Sequence, residues 1–251
     1  MIPIQRAKLP PEAHARLQAR AASLHTTLGR GEAGTQVAEA RKAWKSAKTV
    51  RSDLMEHLTL MASGIRRCMY CGDSLGTDID HFEPLAEAPP RAFDWPNHLL
   101  ACSFCNSNVK RELFPRGEDG EPLIVDPSSE DPHDHLELMP STGLYEALTD
   151  RGKATIEVFH LNRADLERGR RSAFVRTKSM LRDHAQLGKD GDEEGAHEIV
   201  ASLRDQPFAD VLYAMLRFRG LPGAATVLGD PNLPGLLDNP VFHFWPEARS
   251  A

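Results

Sequence analysis

Apolar positions recur at helical spacing over most of the chain, and the pattern breaks in one central stretch. Residues 10–28 read as a helix with Pro10 and Pro11 at its start, where a missing N–H costs nothing. A loop follows over 29–34, then two further helices over 35–46 and 50–63. In the central stretch, "TDIDHF" (77–82) alternates enough to be a short strand that Pro84 ends, and "LLA" (99–101) can return beside it. Residues 103–113 then begin a helix, with Ser103 near its N-cap. Beyond a loop at 114–122 the chain is irregular, with short strands expected in "HLELMP" and "GLYEALT". A helix, a break near Leu161, Asn162 and Arg163, and a long basic helix fill 152–187. Helices are expected again over 192–206 and 208–220. In the proline-rich tail (230–247), Phe242, Phe244 and Trp245 can dock on the body or on a partner, with core packing the expected use.

The class is therefore mostly α (α+β): a helical protein with a small central finger. With 251 residues there is enough chain for one large domain or two small ones. Its 41% hydrophobic and 26% charged residues fit a soluble globular protein. Residues 1–14 hold no apolar leader core, and no run approaches the ~18 residues that span a bilayer, so the cytoplasm is the expected location. The division expected is a basic helical region at 1–64, the finger at 65–116 and a mainly helical region at 117–251.

The net charge of −6 argues against nucleic-acid binding until its distribution is considered. Residues 1–51 carry ten Lys/Arg against three Asp/Glu, a net of +7, while the other 200 carry 20 against 33, a net of −13. A second basic island, residues 162–182, carries seven Lys/Arg against Asp165 and Glu167. Such runs are usually solvated helix faces.

All four cysteines fall in the central stretch, as Cys68 and Cys71, then Cys102 and Cys105. With no secretory leader, two C-x-x-C pairs point to a tetrahedral zinc site of four thiolates and not to disulfides. Four sulfurs fill the coordination sphere and leave no place for water, so such a site is structural. The 30 residues between the pairs are more than a simple ribbon needs, so something folded is expected there.

Between and after the cysteines stand Asp80, His81, Asn97, Asn106 and Lys110. An imidazole with an unperturbed pKa of about 6.5 makes His81 the best general base. Asp80 and Asn106 offer hard oxygens suited to Mg²⁺ or Mn²⁺. Lys110, on the expected helix, and Arg111 beside it are candidates for phosphate contact. His133-Asp134-His135 looks like a metal cluster but reads as turn chemistry after Asp131-Pro132.

The order C-x2-C, D-H-x-x-P, N-H-L-L-x-C-x2-C-N-x3-K resembles the HNH endonucleases, in the zinc-stabilised branch of the ββα-metal family. The resemblance covers residues 66–115. It implies that Asp80 and Asn106 ligate one catalytic metal and that Asn97 braces the loop orienting His81. It also implies products with 5′-phosphate and 3′-hydroxyl ends, with DNA the more expected target than RNA. "IDHFEPL", "WPNHLLACSFCNSNVKRELFP", "VDPSSEDPHDHLEL" and "GKATIEVFHLNR" further resemble the HNH subunit of Septu-type and retron-associated antiphage systems. In that subgroup the nuclease works with a separate SMC/ABC-type ATPase. No G-x-x-x-x-G-K-[ST] loop occurs in this sequence, so ATP use is expected from such a partner.

Two rival readings use the same letters. His81-Phe82-Glu83 with Cys102 and Cys105 mimics a zinc deaminase, in which Glu83 would shuttle protons. That signature has proline where this chain has Ala101, and it leaves Cys68, Cys71, Asp80 and Asn106 without roles. The nuclease reading instead makes Glu83 dispensable. A non-catalytic zinc module binding nucleic acid or a partner needs only the cysteines and the basic N-terminal region.

Overall fold

The computed structural model describes residues 1–29 and 33–245, so half of the loop expected at 29–34 and the end of the tail lie outside the described residues. Three helices come first: α1 (Pro11–Leu28), α2 (Gln36–Ser46) and α3 (Lys48–Met61). Their apolar faces meet each other and the loop residues Ala92 and Phe93, forming a small core around Leu17, Leu24, Val50 and Leu54.

The central stretch folds as expected up to its last element. Strands β1 (Asp78–His81) and β2 (His98–Ala101) pair antiparallel, with Asp78 opposite Ala101 and His81 opposite His98. The helix expected over 103–113 is instead a single π-helical segment, Phe104–Lys110. Its wide turn is closed by the Arg111 amide donating to the Asn106 carbonyl at 2.7 Å, and Arg111 at φ 49° ends it. π-Helical turns are uncommon and often carry functional residues.

A second hairpin, β3 (Leu136–Met139) with β4 (Leu144–Ala147), leads into α4 (Asp150–Val158). The break expected near Leu161 is present, with His160 at φ 48°, before the long α5 (Ala164–Asp190). Helices α6 (Glu193–Asp205), α7 (Ala209–Phe218) and the short α8 (Ala224–Leu228) follow, and the tail forms α9 (Leu233–Leu237). Phe242 is buried in the main core, and Phe244 and Trp245 pack against it. No described helix is long and apolar enough to cross a membrane.

That main core runs without a break from the central stretch into the C-terminal helices. The four cysteines, Tyr70, Leu99 and Leu100 share it with Phe159, Leu166, Leu181 and Leu212. Met1, Ile2 and Ile4 also lie in it, and Arg6 is tied down by the carbonyls of Trp95 (2.9 Å) and His98 (3.1 Å). Much of the basic island of α5 is engaged as well. Arg170 is fully buried, donating to the Leu161 carbonyl at 2.7 Å and to Asp210 at 3.3 Å, while Arg182 pairs with Asp230 at 2.5 Å.

Candidate metal and catalytic site

The first cysteine pair sits in a tight turn. The Cys68 amide donates to Ser74 at 2.9 Å, and the Gly72 amide donates back to Cys68 at 2.9 Å. Gly72 adopts φ 70°, a conformation glycine reaches without the strain of a Cβ. The second pair spans the exit of β2 and the first turn of the π-helix, where the Cys105 amide donates to the Cys102 sulfur at 3.4 Å. All four sulfurs lie within 4.8 Å of one another, and Cys71 and Cys102 are 3.9 Å apart. A tetrahedral ion with bonds of about 2.3 Å sets its sulfurs about 3.8 Å apart. Disulfide sulfurs lie about 2.05 Å apart, and all four cysteines are free. Burial pushes the Cys68 thiol well up, a cost that a bound cation would offset. The donor set fits one structural ion such as zinc.

Pairing of β1 with β2 fixes the faces of the strand. Asp78 and Asp80 fall on one face, Ile79 and His81 on the other. The two carboxylates nevertheless have different environments. Asp80 is buried, accepting from the Tyr70 hydroxyl at 2.5 Å and from the Lys110 ammonium at 3.0 Å. Lys110 has no exposed side-chain surface and also donates to the His81 carbonyl at 2.7 Å. Burial and the Asp80 charge push the Tyr70 phenol well up, which keeps it a proton donor. Each oxygen of Asp80 thus already accepts one hydrogen bond from within the protein. Lys110, expected on phosphate, points inward instead, because the π turn carries its stem under the hairpin. Asp78, two residues earlier, is the carboxylate that meets Asn106, accepting from its amide at 3.2 Å and from Ser107 at 3.3 Å. Arg111 stays exposed at the end of the π turn.

His81 is held from behind. Its Nε2 lies 3.1 Å from the Ala92 carbonyl, which His98 Nε2 shares at 3.1 Å. A carbonyl can only accept, so Nε2 carries the proton and Nδ1 keeps its lone pair. Burial pushes the His81 pKa down to about 4, which keeps the ring neutral near pH 7. The Trp44 indole of α2 meets the imidazole edge-on at 4.5 Å.

The loop that supplies Ala92 is clamped by Asn97, which is fully buried. Its Oδ1 accepts from the Glu83 amide at 2.8 Å, and its Nδ2 donates to the carbonyls of Glu83 (3.1 Å) and Arg91 (3.3 Å). Both ends of the 83–91 segment are therefore fixed by one side chain. Glu83, expected to be dispensable, strengthens this loop by pairing with Arg91 at 2.7 Å and with Arg116.

Other sequence candidates are not gathered here. His133 stands at Asp131 and against Tyr213, while His135 bonds Glu130 at 3.0 Å and Thr149 at 2.9 Å. The turn expected at Asp131-Pro132 is present, with the Asp131 side chain capping the His133 amide. The residues that sequence reasoning missed are Asp78, Tyr70 and Trp44. Asp78 had a readable signal, since it shares a strand face with Asp80. Tyr70 and Trp44 had none.

No family model and no solved structure matches the chain significantly. Among curated proteins it is similar to the Septu protein PtuB of Bacillus mycoides (strain KBAB4), 28% identical over 131 aligned positions, which cover 40% of this chain and 44% of that one. It is also similar to the Septu protein PtuB of Bacillus thuringiensis, 27% identical over 113 aligned positions covering 43% and 41%. The chain thus matches less than half the length of either relative, and the likeness is distant.

Proposed function

We propose that this chain is a divalent-metal-dependent HNH endonuclease, the nuclease component of a Septu-type antiphage system that acts with a separate SMC/ABC-type ATPase. The observation that carries the chemistry is the 3.1 Å contact of His81 Nε2 with the Ala92 carbonyl, which selects the Nε2–H tautomer. Ala92 holds Nε2–H, Asn97 holds the loop that presents Ala92, and Nδ1 is left as a lone-pair nitrogen on a neutral ring. The distant likeness to two Septu proteins supports the defence role and a protein partner.

In this reading His81 Nδ1 takes the proton from a water that attacks the phosphorus. Asn97 keeps the imidazole in place, and Asn106 and Asp78 supply two oxygens for Mg²⁺ or Mn²⁺, which prefers few protein ligands and several waters. The Asn106 amide now turns its nitrogen to Asp78; its two ends are interchangeable by a rotation about the terminal bond. When bound, the cation stabilises charge on the leaving 3′ oxygen. Asp80 passes from ligand to support, pairing Lys110 beneath the strand. Arg111 remains available to phosphate from the end of the π turn. DNA is the preferred target, with 5′-phosphate and 3′-hydroxyl ends as products.

The deaminase reading has less support. Among the described residues the sulfur cluster includes no histidine, and Glu83 is occupied by two arginines. Cleavage of plasmid, single-stranded DNA or RNA is expected only with Mg²⁺ or Mn²⁺. Asp78→Asn should lower it by about 100-fold or more, the scale seen when one charge-stabilising group is removed, with zinc content and melting temperature unchanged. Cleavage indifferent to Asp78→Asn would remove the cation from this place. Inertness of the wild type on every substrate, with the ATPase present, would favour a non-catalytic zinc module.

A further inference from the structure

A groove of about 610 Å³ runs between α3 and the outer side of β1. One wall is a single stripe of α3, Lys48, Arg51, Ser52 and Met55, spaced i, i+3, i+4 and i+7. The other wall holds Asp78 and Asn106, the two groups assigned to the catalytic cation above. Trp44 closes one end and touches both parts of the site. Its ring meets His81, and the Arg51 guanidinium lies 5.8 Å from its centroid.

Several basic side chains nearby are already paired within the protein. Arg16, Arg41 and Lys42 each have a carboxylate partner, in Asp53, Glu112 and Glu39. Lys48 and Arg51 are exposed, face the groove, and have no ion-pair partner among the described residues. Two uncompensated cations opposite a carboxylate and an amide form a polarised slot. A chain of phosphodiesters fits it: successive phosphates lie along the cationic stripe while one is presented to Asp78 and Asn106 across a cation. The Trp44 ring adds an aromatic face of the kind on which bases stack. An acidic peptide fits less well, since its carboxylates would meet Asp78 without bringing a stacking surface to Trp44.

We infer that Lys48 and Arg51 hold the backbone phosphates of a nucleic-acid strand laid in this groove, so that the N-terminal helices form one wall of the substrate channel. The inference rests on the nuclease reading for the position of the scissile phosphate, but the binding it describes is measured separately from cleavage.

The test is fluorescence anisotropy of the full chain with fluorescein-labelled single-stranded and duplex oligonucleotides, without added divalent cation, across a salt series. Lys48→Gln/Arg51→Gln should weaken binding about 10-fold or more and reduce the slope of log affinity against log salt by about 2, one unit per lost phosphate contact. Lys45→Gln, a charge loss on the neighbouring helix outside the groove, should leave the slope within about half a unit of wild type. Zinc content and circular dichroism establish that each variant is folded. Equal affinity and slope in the double variant would overturn the inference, as would a wild type that binds no oligonucleotide. Tighter capture of poly-glutamate than of the oligonucleotides, lost in the double variant, would overturn it in favour of an acidic partner. If the double variant loses binding but the wild type cleaves nothing with any metal and with the proposed ATPase present, the groove stands and the nuclease reading falls.

Discussion

Replacing Cys71 or Cys105 with serine should drop bound zinc from one per chain to well below one and cost about 5 kcal/mol or more of stability. Both sulfurs are buried, so the substitution leaves three thiols and a hydroxyl with no cation to organise them. Structural zinc supplies about 10 kcal/mol or more in isolated fingers, and here the loss extends outward. Cys105 opens the π turn that carries Asn106 and Lys110. Cys71 adjoins Gly72, whose carbonyl accepts from the Phe208 amide at 2.9 Å, just ahead of α7. Since the cysteines share one core with α5 and α7, the melting temperature should fall by roughly 10–20 °C for a chain of this size. Metal analysis and scanning calorimetry read both effects. Wild-type stability in a variant stripped of metal would mean that the ion is not structural.

The second large effect separates two carboxylates two residues apart. Lys110→Met should cost about 3–5 kcal/mol, because it leaves the Asp80 charge in the interior with only the Tyr70 hydroxyl as partner. Asp80→Asn should cost a similar amount by leaving the Lys110 ammonium without its counter-charge. The double variant Asp80→Asn/Lys110→Met should recover much of that loss, since a neutral amide and a thioether carry no unpaired charge. Denaturant midpoints on the four proteins of this cycle give the coupling. If Asp80 instead served a cation at the surface, Asp80→Asn would leave stability near wild type and the cycle would show no coupling.

These two carboxylates also mark where sequence reasoning stopped. The pairing of "TDIDHF" with "HLLA" was legible because alternation, Pro84 and the flanking cysteines are local signals. The helices were legible for the same reason, within two residues at most ends. The inward turn of Asp80 depends on Tyr70 and Lys110, ten and thirty residues away in sequence, and nothing local separates it from Asp78. The shift of Lys110 from surface to interior follows from a π turn in place of an α-helix, and residue spacing does not encode that difference. Asn97 could be read only as a turn residue or, through resemblance, as a brace; its clamp on Glu83 and Arg91 appears once the loop is closed. Trp44 lies on a helix that sequence alone placed in a separate region, and its contact with His81 is purely tertiary. The basic run of α5 divides: Arg168 and Arg176 are exposed, as a solvated face would be, whereas Arg170 belongs to the interior and Arg182 pairs with Asp230.

The most direct measurement compares wild type with His81→Ala on a panel of plasmid, single-stranded DNA and RNA, with Mg²⁺ or Mn²⁺ and without, in the presence of the proposed ATPase partner. Wild type should cleave at least one substrate with metal, and His81→Ala should lower the rate by about 100- to 10,000-fold, the usual contribution of a general base, while keeping its zinc. Cleavage that survives His81→Ala would contradict the assignment and place the chemistry elsewhere.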